Sequence, residues 1–113
     1  MQLVKASSAN KVLASTSTTI YEYLMDENTI NAAVAQIRGR YPEKGFTMNT
    51  ISKELVYVLK VEGNIILEDQ EQLIVQGDTL LLQPNEKFAW LGDMTILTVC
   101  TPAWKPEQHK IKK

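Results

Sequence analysis

Few residues in this chain could do chemistry, and their spacing limits what that chemistry could be. Glu54 opens an alternating stretch and shares one pleat face with Val56 and Val58. Arg38 and Arg40 also share a face; they could grip a carboxylate or phosphate in bidentate fashion, or form a plain solvated edge. Phe88 and Trp90 face the same way by the same rule. The chain has one Cys, Cys100, and one His, His109. That pair cannot build a thiolate or imidazole zinc site in one chain, and a single Cys forms no internal disulfide. Cys100 ends an apolar strand and reads as a buried small hydrophobe rather than a reactive thiol. His109 falls in a polar C-terminal stretch, a poor place for a buried general base, so neither a Ser-His-Asp nor a Cys-His catalytic unit is expected.

The elements that must position these residues are strands. Residues 6–18 are small and hydroxyl-rich, which predicts a loosely structured arm with short strands; residues 19–25 have the β-branched and aromatic content of a strand. Residues 26–28 read as a turn. Ala32, Ala33 and Ala35 favour a helix over residues 30–37, but Ile30, Ala32 and Val34 alternate, and Gly39 and Pro42 close the segment as a strand. From residue 54 the period is two. Strands are expected over 54–60, 65–68, 71–76, 79–83, 87–91 and 94–100, with turns at 62–64, 69–70, 77–78, 84–86 and 92–93. Seven or more short strands with regular turns predict an all-β sandwich or barrel.

Composition bounds the rest. The chain has 113 residues, 12 Lys+Arg against 13 Asp+Glu, a net charge of -1, 44% hydrophobic and 22% charged residues. These are the values of an ordinary globular domain. Near-neutral charge offers no basic face for nucleic acid, so no nucleic-acid partner is expected. Lys105, Lys110, Lys112 and Lys113 make a small basic tail, read as a solvated end. No apolar run nears the roughly 20 residues that cross a bilayer, and the first residues lack a signal-peptide h-region; a cytoplasmic location without membrane contact is expected. The strand at 54–61 is apolar on both faces: Leu55, Tyr57, Leu59 and Val61 oppose Val56 and Val58. A one-sided sheet should not be. Either the N-terminal arm or a second subunit must cover that face. A homodimer is the expectation, with Tyr57 at the interface.

Two stretches carry a family resemblance. Residues 54–63 (Glu54-Leu55-Val56-Tyr57-Val58-Leu59-Lys60-Val61-Glu62-Gly63) resemble the end of the first cupin motif, in which a carboxylate precedes an apolar strand and a Gly turn. Residues 77–88, from Gly77-Asp78 through Pro84 to Phe88, resemble the second, and residues 100–109 are similar to the tail of some small single-domain cupins. The resemblance implies a double-stranded β-helix (jelly-roll, RmlC-like) barrel over 30–104, preceded by an arm and edge strand over 1–29 and followed by the tail at 105–113. The departures carry equal weight. Where the family's first motif places two His, this chain has Thr47, Met48, Asn49 and Thr50; where the second carries a His, it has Phe88. Of the four usual ligands only Glu54 remains. One carboxylate among amides and hydroxyls suits neither a transition metal nor a hard cation, so no metal and no cofactor is expected.

In that register Glu54, Val56, Phe88 and Trp90 point into the barrel, and Met48 and Thr50 stand near them. Arg38 and Tyr41 lead to its mouth. The implied pocket is apolar and aromatic with one carboxylate, the usual form of a small-ligand site, with Met48, Thr50, Val56, Phe88, Trp90, Arg38 and Tyr41 as candidate ligand contacts. The same aromatics could instead simply fill the barrel. Glu54, buried among apolar groups, would have a raised pKa and could act as acid or base; paired with Arg38 or Arg40 it would be structural. Trp104 would plug one barrel end or reach a partner. Three functions follow: a metal-free small-molecule binding protein; a metal-independent cupin-type isomerase, epimerase or lyase using Glu54; and a structural or interaction dimer with a filled barrel. The resembling enzymes pair a His with a Tyr for proton transfer, and no His is expected beside Glu54, which places the binding protein first.

Overall fold

The computed structural model describes residues 1–112. Its strands follow from alternation. Along β5 (Lys53–Leu67) the side chains of Glu54, Val56 and Val58 are buried while Leu55, Tyr57 and Leu59 are exposed, one face in and one face out. The other strands are β1 (Asn10–Leu13), β2 (Thr18–Tyr23), β3 (Asn31–Tyr41), β4 (Phe46–Asn49), β6 (Glu71–Val75), β7 (Thr79–Leu82), β8 (Phe88–Thr101) and β9 (His109–Lys112). The only helical pieces among the described residues are two three-residue 3₁₀ turns, at Ala6–Ser8 and Pro106–Gln108. No helix among them is long and apolar enough to cross a membrane. The class is all-β.

β8 is the spine. On one side it pairs antiparallel with β3, and past the end of β3 with β4 through Thr47 opposite Phe88. On the other it pairs with β5 from Lys53 opposite Thr101 to Leu67 opposite Phe88. β2 and β1 extend the β3 edge, β9 extends β4, and β6 and β7 share the far edge of β5. The sheet curls on itself as a jelly-roll barrel. Its core comprises the inward side chains, Ile37, Val56, Val58, Met94 and Ile96 among them, all at most 2% exposed. Each such side chain contributes roughly 1.5–3 kcal/mol of burial energy.

Two expected hairpins are instead single long strands. Residues 62–64 and 92–93, read as turns, lie inside β5 and β8, where Gly63 stands opposite Gly92 and Gly92 opposite Gly39. A Cβ on Gly92 would sit 2.7 Å from the Gly63 Cα, and φ at Gly92 is +145°. Glycine serves here for close backbone approach rather than for reversal, which a sequence cannot tell apart. A β-bulge between Val58 and Lys60 marks where β5 exchanges β7 for β6 as its neighbour.

The N-terminal residues do not cover the outer face of β5. The β1–β2 hairpin continues the sheet from β3, and Leu55, Tyr57, Leu59 and Val61 stay exposed. The C-terminal stretch, expected as a solvated tail, forms β9 against β4 with His109 opposite Asn49. Of its lysines, Lys113 lies outside the described residues.

Candidate active site

Inward positions of neighbouring strands line up in rows. Ile20, Ala35 and Ile96 form one; Glu22, Ala33 and Thr98 the next; Asn31, Cys100 and Glu54 the third. Alanines on β3 are too small to reach across the barrel, and the space they leave is a cavity of about 450 Å³. That size is ordinary for a small-molecule site. Its walls carry Phe88, Trp90, Trp104, Tyr23 and Tyr41, and Glu54, Thr47 and His109 also line it. Phe88 and Trp90 meet edge to face with centroids 5.6 Å apart, so both rings are held in place. The rings thus wall a hollow rather than filling it.

Glu54 is buried at 9% exposure and has no cation beside it. Its Oε1 accepts from Asn49 Nδ2 at 2.9 Å and from the Cys100 thiol at 3.8 Å. Oε2 has no hydrogen-bond partner among the described residues, yet no buried polar atom there is left both sealed and unpaired. Oε2 therefore opens onto the cavity. Burial pushes the carboxyl pKa up, only partly opposed by the bonds from Asn49 and Cys100. The same burial, with the Glu54 charge next to it, pushes the Cys100 thiol up, so it stays protonated.

His109 is the residue that sequence reasoning missed. Its ring is half-buried in the cavity wall, with Nε2 3.0 Å from the Tyr41 hydroxyl and 2.9 Å from Thr47 Oγ1. It stacks on Tyr41 and meets Trp104 edge-on. Burial lowers its pKa, so the imidazole is neutral at pH 7. Burial first, and then the Glu54 charge, raises the pKa of Tyr41, which remains a phenol. With a proton on Nδ1 facing Asn49 Oδ1 at 3.5 Å, the Tyr41 hydroxyl donates to Nε2; with the proton on Nε2 the direction reverses. Asn49 also accepts from Trp104 Nε1 at 3.0 Å and donates to Glu54. His109 and Glu54 are thus joined through one amide.

Gln108 places His109. Its Oε1 accepts from the backbone N–H of Ile51 and Ser52, its Nε2 donates to Ser52 Oγ, and Ser52 Oγ donates to the Pro102 carbonyl. The three bonds of Gln108 therefore pin the start of β9 to the loop before β5, and the fourth ties that loop to Pro102. A buried Gln beside a His was the available signal, but nothing local ties it to residues more than fifty positions earlier.

The other candidates divide. Tyr41, Phe88 and Trp90 line the cavity with Glu54. Val56 is wholly buried in the core and is not among the lining residues. Met48 does not line the cavity either; it alternates with the buried Thr47 and Asn49 and so takes the other face of β4. Thr50 follows β4, and its N–H donates to the Gln108 carbonyl. Arg38 is exposed and pairs with Asp93 at 2.6 Å, away from the cavity. Arg40 donates to the carbonyls of Pro42 and Gly45. Neither guanidinium meets Glu54.

Where the resembling motifs carry metal ligands this chain has residues among Thr47, Met48, Asn49 and Thr50, with Glu54 and Phe88, and among the described residues no three His, Cys, Asp or Glu side chains gather as a ligand set. This donor set does not fit a transition metal.

The fold is that of a small cupin domain. Among solved structures, a Streptomyces nucleoside dehydratase, Pac13, in a Y-to-F variant with uridine, is similar over all of this chain and 91% of its own, with TM-score 0.89 and 12% identity. An RmlC-like cupin from Shewanella frigidimarina matches 93% of this chain and 94% of its own (TM-score 0.76, 9% identity). The polyketide cyclase RemF from Streptomyces resistomycificus matches 96% and 89% (TM-score 0.72, 11% identity). No protein-family model and no curated protein sequence matches the chain.

Proposed function

We propose that this protein is an enzyme that moves protons on a small molecule held in the cavity, a lyase or isomerase working without a resident metal. The observation that carries the reading is the Tyr41–His109 pair, 3.0 Å apart in the cavity wall, with the open oxygen of Glu54 one amide away. A neutral imidazole can take a proton; a phenol kept protonated by burial can give one, as can the Glu54 carboxyl in its protonated form. In an elimination, His109 would remove a proton from carbon as the neighbouring C–O bond breaks. The departing oxygen would take a proton from Tyr41 or Glu54 and leave as water. Fold similarity to a nucleoside dehydratase is consistent with that chemistry. The same cavity also suits a protein that binds a small molecule without turning it over; the Tyr41–His109 pair is what favours catalysis.

The test is a turnover screen of candidate hydroxylated ring compounds, followed by His109→Gln. Removal of one acid–base group should lower kcat by about 10²–10⁴-fold with the thermal transition retained. Ligand-induced stabilisation with no turnover in any compound would instead leave a binding protein.

We also infer that the row Leu81, Leu55 and Val99, with Tyr57 and Leu97 beside it, meets a second copy of the chain; Leu81, Leu55 and Tyr57 are exposed and Val99 and Leu97 half-buried. Register makes it one continuous apolar patch.

A further inference from the structure

No Lys or Arg is among the residues lining the cavity, whereas two carboxyl groups, Glu22 and Glu54, are. The two arginines nearest in sequence to its mouth are committed elsewhere: Arg38 to Asp93, Arg40 to two backbone carbonyls. Nor do the described residues supply a helix N-terminus, since both 3₁₀ turns are three residues long. Among them the cavity therefore has no positive charge and no helix dipole with which to receive a phosphate or carboxylate. A buried anion without a counter-charge is strongly disfavoured, and beside another carboxylate more so. The neutral surface falls into two parts. One is aromatic, with Phe88, Trp90 and Trp104 presenting rings; the other is polar, with Thr98, His109 and the free oxygen of Glu54. Rings of this kind stack on planar heterocycles, and the polar groups suit hydroxyls.

We propose that this cavity discriminates by charge, and that its ligand is an uncharged, unphosphorylated nucleoside or a molecule of the same make, a planar ring joined to a polyol. This rests on the reading of the cavity as the substrate site. It goes beyond that reading by stating what the substrate must lack. Glu22 is the residue assigned to the discrimination at the β2 side, where its Oε1 is held by Asn10 Nδ2 at 2.8 Å.

The experiment is calorimetric titration of the full chain with uridine, cytidine, adenosine and guanosine, each beside its 5′-monophosphate. At least one nucleoside should bind, at least tenfold tighter than its own phosphate. In Glu22→Gln that ratio should shrink several-fold through tighter binding of the phosphate. Glu54→Gln, which keeps the shape of the cavity, should shrink it as well. Equal or tighter binding of a phosphate, or binding of no nucleoside at all, overturns the proposal. The outcome is separable from the acid–base reading. Charge-selective binding without His109-dependent turnover would sink the enzyme and keep the selectivity; His109-dependent turnover of a phosphorylated compound would do the reverse.

Discussion

His109 Nε2 lies 3.0 Å from the Tyr41 hydroxyl although 68 residues separate them in the chain. β3 brings one to the cavity and β9 brings the other. Thr47 on β4 receives or gives a bond to the same nitrogen at 2.9 Å, so the contact joins three strands that local sequence does not connect. The pair is neutral on both sides, a phenol kept protonated and an imidazole kept unprotonated, the state from which either can begin a transfer.

That state predicts a pH profile. The His109 pKa is lowered from 6.5. Used as a base, the ring keeps kcat/KM level as pH falls through 6.5, with the acid limb appearing only below it. Stability has a matching sign: the unfolded chain binds the proton first, so the His109 contribution is full above 6.5 and declines as pH falls towards the folded value. A kcat/KM limb at or above 6.5 would show that another group is the base. Tyr41→Phe should lower kcat by about 10²-fold or more with KM little altered.

Glu54 titrates in the opposite sense. Its folded pKa is raised above 4.5, so the carboxyl's contribution to stability is full below 4.5 and is lost as pH rises through the folded value. Glu54→Gln keeps the oxygen that Asn49 and Cys100 contact and removes the charge. The variant should match the parent near pH 4 and exceed it at pH 8 by on the order of 1 kcal/mol, read by denaturant melts at both pH values. A loss of several kcal/mol at pH 8 would mark a paired, structural carboxylate and end its role in proton transfer.

Gln108 tests the placement of His109. Gln108→Ala leaves the buried N–H of Ser52 and the part-buried N–H of Ile51 without their acceptor, so about 1–3 kcal/mol of stability should be lost. Activity should fall further than the folded fraction does, since β9 loses its anchor. Activity that merely tracks the folded fraction would show that β4 alone holds His109.

Tyr57 tests the assembly. It is 41% exposed beside Leu55 and opposite Leu97 and Thr79. Tyr57→Glu places a charge in the apolar patch and should convert a dimer to monomer in analytical ultracentrifugation, without changing the monomer's thermal transition. A sedimentation profile equal to the parent's would remove this face from the interface.

The sequence alone determined the all-β class and the inward face of β5, because alternation is a local property and the pleat turns it directly into burial; the cupin-like fold was legible from the motif resemblance of residues 54–63 and 77–88. Glu54, Phe88 and Trp90 were legible as inward residues from the register that the resemblance implies, and Tyr41 from its place on the segment leading to the mouth. Distant pairing decided the rest. Gly63 and Gly92 read as turns because glycine serves reversal and close approach alike; only the β5–β8 register shows which. Arg38 read as a possible anion ligand because a sequence does not show Asp93 beside it. His109 read as tail because His-Lys-Ile-Lys is polar and short; it becomes part of the site only when β9 finds β4 and Gln108 finds Ser52. The cavity itself is a difference between small and large inward residues, Ala33 and Ala35 on β3 and Phe88 and Trp90 on β8. Such a difference exists only once the sheet has closed.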